Sequence, residues 1–153
     1  MKKLFLAFFI FTLFFSSCKK DDATTDTARR DFLTENGGWF ETTVLKKSAP
    51  TDPWEVDYFS LEPCNLDNKT SFTSTYSFSK DGGSVKCNPS DPQTLGAGTF
   101  GFTNNETHLA VIRNLGSYNQ TQDWTIIQLE ANTFVFEYYY PVGGPYYKVT
   151  MTH

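Results

Sequence analysis

The chain has 153 residues and a formal net charge of −4, with 17% aromatic and 20% charged residues. That length suits one domain. An acidic chain is a poor nucleic-acid binder, because affinity there comes largely from Lys and Arg on phosphates.

Met1-Lys2-Lys3 opens the chain, the apolar run Leu4 to Phe15 follows, and Ser16 and Ser17 precede Cys18. A basic start, an apolar segment and small residues at its end predict a secretory signal peptide over residues 1–17. The run is too short for a transmembrane helix, which needs about 20 apolar residues. Phe15-Ser16-Ser17-Cys18 resembles the lipobox of bacterial lipoproteins. There the signal is cut before the Cys, and the new N-terminal Cys is acylated. The resemblance implies lipidation at Cys18 and a partnership with outer-membrane lipid through more than one acyl chain, as stable anchoring requires. Cys18-Lys19-Lys20-Asp21-Asp22 is similar to lipoproteins of the phylum Bacteroidota, where a basic residue followed by acidic ones resembles a surface-export signal. That implies display at the cell surface, with a periplasm-facing anchor as the alternative.

Without residues 1–17, 136 residues remain, with 11 Lys and Arg against 17 Asp and Glu, a charge of −6 with His neutral. Twenty of the 26 aromatic residues remain too, enough for one real core. Two cysteines are left beside Cys18: Cys64 and Cys87. In an oxidising compartment an even remainder suggests one disulfide, with two unrelated thiols as the alternative. A metal pair fits less well, since zinc needs more ligands and the His residues are His108 and His153. No cofactor is expected.

Residues 18–29 read as the lipidated N-terminus and a disordered linker, with no aromatic and no apolar period. Asp26-Thr27-Ala28 resembles the O-glycosylation motif of secreted Bacteroidota proteins, with Thr27 as acceptor. Arg29 to Glu35 predicts a helical turn, broken by Asn36-Gly37-Gly38. Trp39 to Lys46 alternates as a first strand. Ser48 to Pro63 is a long connection that predicts a short helix or lid-like segment around Trp54, Val56, Tyr58 and Phe59. Ser71 to Ser79 reads as one strand with Phe72, Tyr76 and Phe78 on one face. Asp81-Gly82-Gly83 predicts a hairpin turn into a return strand at Ser84 to Cys87. Gly98 to Thr103 and His108 to Arg113 pair across a turn at 104–107. Leu115 to Asp123 reads as polar and turn-like. Trp124 to Leu129, Thr133 to Tyr140 and Tyr146 to Thr152 complete the set.

These are eight strands joined mostly by short turns, which indicates an all-β barrel or sandwich. Consecutive hairpins favour an up-and-down barrel, whose closure removes exposed sheet edges. Gly37-Gly38-Trp39 after a helical turn resembles the Gly-x-Trp motif of lipocalins, where the Trp plugs the closed end of an eight-stranded antiparallel barrel. Residues 30–153 are similar to the lipocalin-like domains of Bacteroidota lipoproteins. The similarity runs through Cys64-Asn65-Leu66-Asp67, Phe78-Ser79-Lys80-Asp81-Gly82, the Lys86-to-Pro92 segment and Gly98-Thr99-Phe100. It implies a barrel-end role for Trp39 and a Cys64–Cys87 pair. Lipocalins also set an Arg from a late strand over the Trp, where the last strand here offers Lys148.

Catalysis has little support. No Gly-x-Ser-x-Gly elbow, phosphate loop or His/Cys metal cluster is present, and no catalytic or metal residue is assigned. His108, Glu55 and Asp57 read as surface groups. For binding, Phe72, Tyr76, Phe78, Phe100, Phe102, Phe134, Phe136 and Tyr138 stand at strand spacing and are candidates to line a site for a small apolar or amphipathic ligand. The same rings would otherwise simply fill the barrel. Tyr138 to Tyr147 crowds five tyrosines around one turn, and exposed Tyr139 and Tyr146 are candidates to meet a glycan or protein partner. A monomer is expected.

Overall fold

The computed structural model describes residues 23–35, 37–140 and 143–153. The predicted signal peptide, Cys18 and the first linker residues lie outside them, as do Pro141 and Val142. Among the described residues the strands are β1 (Trp39–Lys47), β2 (Glu55–Val56), β3 (Lys69–Phe72), β4 (Ser77–Asp81), β5 (Thr94–Thr103), β6 (His108–Asn114), β7 (Asn119–Glu130), β8 (Thr133–Tyr139) and β9 (Tyr146–Thr152). All pair antiparallel. The two-residue β2 rides on the far end of β1. The other eight follow one another around, and β9 returns to β1 from Phe40–Thr152 to Lys47–Tyr146, so the sheet closes into an eight-stranded barrel. Its shortest seam is β1–β3, which meets only at Trp39–Thr70 and Phe40–Lys69.

Helix α1 (Ala23–Thr34) closes one end. It starts six residues before the predicted turn and takes in Thr27 and Ala28, which the sequence places in the linker. Tertiary packing holds its last two turns. Leu33 is buried at 1% exposure, Phe32 packs on the core, and Arg29 reaches the Glu106 carbonyl in the β5–β6 turn. Gly37 at φ +78° and Gly38 at φ +127° then turn the chain into β1, and the Trp39 indole N–H donates to the Leu33 carbonyl at 2.9 Å. Trp39 is wholly buried there. Around it Phe72, Phe100, Leu109, Phe134 and Met151 fill the lower barrel, each worth roughly 1.5–3 kcal/mol when buried.

Three predicted elements are different in the structure. Ser71 to Ser79 is not one strand but β3, a turn and β4. Thr73 organises the reversal: its N–H donates to the Ser77 carbonyl at 2.9 Å, its carbonyl accepts from Tyr76 N–H at 3.0 Å, and Tyr76 sits at φ +61°. Side-chain hydroxyls, not Gly or Pro, carry the turn. Phe72 and Phe78 are register partners, so both still face inward. Ser84 to Cys87 is loop rather than strand, because local partners hold its backbone: Ser84 and Val85 N–H both donate to the Asp67 carboxylate at 2.7 Å. Leu115 to Asp123 is a short turn followed by the first five residues of β7.

Candidate functional site

The barrel is filled at the α1 end and hollow at the other. A cavity of about 310 Å³ opens there. Its floor is the stacked pair Trp124 and Phe136, ring centroids 4.2 Å apart, with Phe78, Val44, Val149 and Met151 around it. Its walls are polar. Glu41 and Lys80 form an ion pair across it at 2.6 Å. Thr70 and Gln122 point in, both 4% exposed, and Arg113, Tyr138, Tyr140 and Tyr147 complete the lining.

Strand geometry positions these groups. Leu109, Val111 and Arg113 share the inward face of β6, so the apolar face ends in a guanidinium at the open rim. Gln122 and Trp124 do the same on β7, and Trp124 Nε1–H donates to Gln122 Oε1 at 3.2 Å. Lys80 follows Phe78 on β4. On β1 a bulge between Glu41 and Thr43 puts Trp39, Glu41 and then Val44 on the inside, where strict alternation would send Val44 out.

A 3₁₀ segment, η1 (Tyr58–Leu61), covers one side of the mouth, and Phe59 and Ser60 line the cavity from it. This is the lid-like segment that the long connection predicts. Asp57 pins it. Its N–H donates to the Val44 carbonyl at 2.9 Å, and its carboxylate accepts from Lys46 Nζ at 3.0 Å and Ser60 Oγ at 2.6 Å. Burial pushes the Asp57 carboxyl up, but the Ser60 and Lys46 hydrogen bonds outweigh it and hold the carboxyl below its usual range. Tyr138, stacked on Tyr147 at 5.1 Å, is pushed well above the usual phenol range by burial.

Cys64 and Cys87 are disulfide-bonded, Cα atoms 5.1 Å apart, as the cysteine count suggests. The bridge joins α2 (Pro63–Leu66) to the β4–β5 loop beside the mouth. Glu62 lies close to the two sulfurs, but the bridge leaves them no thiolate to offer a metal.

Of the eight predicted lining residues, Phe78, Phe136 and Tyr138 reach the cavity. Phe72, Phe100 and Phe134 are core rings below it, Phe102 packs against that core, and Tyr76 is 42% exposed at the β3–β4 turn, its ring tilted against Phe100 at 5.7 Å. The charged and amide lining was missed. Its signal was present as a polar residue at the inward register beyond the last apolar one: Lys80 after Phe78, Arg113 after Val111, Gln122 before Trp124. Tyr139 and Tyr146 do meet, as register partners with centroids 4.6 Å apart on the outer wall. Lys47 Nζ lies 4.4 Å from the Trp54 ring beside them, and these four residues border an open groove. Glu55, Asp57 and His108 are not brought together. Glu55 is exposed by the mouth as expected, Asp57 is buried there at 6% exposure and not on the surface because Lys46 and Ser60 hold its carboxylate, and His108 pairs with Asp123 at 2.9 Å on the wall nearer the closed end.

No protein-family model matches the chain, and no curated protein matches it.

Proposed function

We propose that this is a lipid-anchored bacterial lipoprotein whose lipocalin-like barrel holds a small amphipathic molecule. The cavity of about 310 Å³ carries the reading. It stands at the lower end of the size range of small-molecule sites and has their make-up, an apolar floor with a few placed polar groups. A barrel evolved only to be a solid core has no use for four charged or amide side chains on its inner face. The anchor rests on the signal-like N-terminus and on Cys18, with the outer membrane as location.

Native mass spectrometry tests the cavity. Residues 23–153, secreted from a Bacteroidota host and purified without detergent, are expected to carry extra mass that is lost on denaturation. A bare mass from that host counts against the reading. Labelling of the full chain with an alkynyl palmitate analogue tests the anchor: label should enter the wild type and be absent from C18S.

The outer groove supports a second reading, capture of a glycan or protein partner. Its observation is the Trp54, Tyr139 and Tyr146 cluster with Lys47 over the rings, an aromatic surface of the kind sugars stack on. The Tyr139→Ala, Tyr146→Ala double variant should lose binding on a glycan array while keeping any cavity ligand.

A further inference from the structure

The cavity lining holds two acids and two bases, and each acid already has a cationic partner other than Arg113. Glu41 and Lys80 neutralise each other, and Asp57 is held by Lys46 and Ser60. Arg113 lines the same space, and among the described residues its guanidinium makes no hydrogen bond and no ion pair. A guanidinium offers five N–H donors and does not give up its proton. Half-buried at the open rim, it has no protein acceptor among those residues and is open to one supplied by a ligand.

The neighbouring strand puts no side chain over it. The guanidinium lies above Gly96 of β5, where an added Cβ would stand 3.4 Å from it. On the other side is Gln122, diagonal to Arg113 across the β6–β7 ladder. Trp124 takes one lone pair of Gln122 Oε1, and the amide NH₂ remains to donate. Donors therefore converge at the rim, and the apolar pair Trp124 and Phe136 lies below.

We infer that the cavity takes an amphipathic carboxylate, its anionic head on Arg113 and Gln122 and its apolar body on Trp124 and Phe136. This rests on the cavity being the ligand site. Arg113, the lining cation without an acidic partner, matches a single carboxylate, and the planar guanidinium can hold both its oxygens. A cationic amphiphile meets repulsion, and a neutral alcohol leaves the guanidinium's charge unmatched.

Calorimetric titration of delipidated wild-type protein with decanoate, decanol and decyltrimethylammonium tests this, since the three share one chain and differ in the head. Decanoate should bind at least about tenfold more tightly than decanol, the scale of one charge-assisted hydrogen-bonded pair, and the ammonium most weakly. R113M should bind decanoate and decanol alike, with R113K intermediate. Equal wild-type affinities for decanoate and decanol, or a preference for the ammonium, overturn the inference and leave the cavity reading standing. So does a carboxylate preference that survives in R113M. Failure of all three probes to bind removes the cavity reading and the inference with it. The wild-type series needs no variant, so an unstable R113M does not blunt the test.

Discussion

His153 lies against Trp39: the ring centroids are 3.8 Å apart, and His153 Nδ1–H donates to the Gly38 carbonyl at 2.7 Å. The resemblance of Gly37-Gly38-Trp39 to the lipocalin motif implies an Arg from a late strand over the Trp. Here an imidazole just past β9 covers it, and Lys148, the basic residue of that strand, pairs instead with Glu137 at 3.3 Å. The Trp is thus fixed from both ends of the chain, by His153 above it and by the Leu33 carbonyl of α1.

Trp39→Ala should therefore cost about 3–5 kcal/mol, the range for deleting a buried large aromatic. His153→Ala should cost about 1–2 kcal/mol, for one ring contact and one hydrogen bond. Urea unfolding of both singles and the double gives the coupling, which should be clearly non-zero for residues in contact. Additive losses would mean that the ring contact carries no energy.

Two glycines on β5 should behave oppositely. A Cβ at Gly98 would lie 1.9 Å from the Ile112 carbonyl oxygen and 2.9 Å from Phe78, contacts that backbone cannot relieve. Gly98→Ala should cost about 3 kcal/mol or more, or fail to fold. Gly101, three residues on, has nothing within 4 Å of that position and no positive φ. Gly101→Ala should be neutral or stabilising by up to about 1 kcal/mol. Melting temperatures of the two variants side by side decide it, and equal losses would mean that β5 is packed differently.

The disulfide closes a sequence separation of 23, worth about 3 kcal/mol in the chain-entropy model. Its partners are local, because Asp67 also holds Ser84 and Val85. Those N–H donors, Val85 first, keep the Asp67 carboxyl below its usual range. C64S/C87S should thus lose about that stability yet keep the barrel. Unchanged far-ultraviolet dichroism with a lowered urea midpoint is the expected pair of results. Loss of the β spectrum would show that the bridge holds more than the mouth.

The barrel was legible because its apolar alternation is strong: β1, β6, β8 and β9 lie within a residue of their predicted bounds. The count of eight also came out right, but by two errors that cancel. The Ser71–Ser79 pattern hid a reversal, since Thr73 and Tyr76 turn the chain without Gly or Pro and the even spacing leaves Phe72 and Phe78 inward on either reading. The turn-like look of Ser84 to Cys87 was real, and only its assignment as strand was not. The start of β7 was missed for a more informative reason. Gln120 and Gln122 occupy inward positions, which erases the apolar period there, and Gln122 is part of the cavity wall. Aromatic content marked the core, while the site was marked by polar residues where apolar ones were due.

Asp57 gives the mouth a pH dependence whose sign follows from its lowered folded-state pKa. Unfolded, the carboxyl titrates near about 3.9. Its stabilising share is therefore fully present above that value and is lost as pH falls through the lower folded value. What is lost is specific, because the carboxylate ties Lys46 of β1 to Ser60 of η1. Below about pH 4 amide exchange in residues 55–61 should accelerate several-fold before the barrel strands respond, since local opening of this segment leaves the closed-end core intact. Asp57→Asn should show the faster exchange already at neutral pH and a flatter response to acid. If the variant exchanges at the wild-type rate and keeps the same acid limb, another carboxylate holds the segment, and Asp57 is only a buried cap on η1.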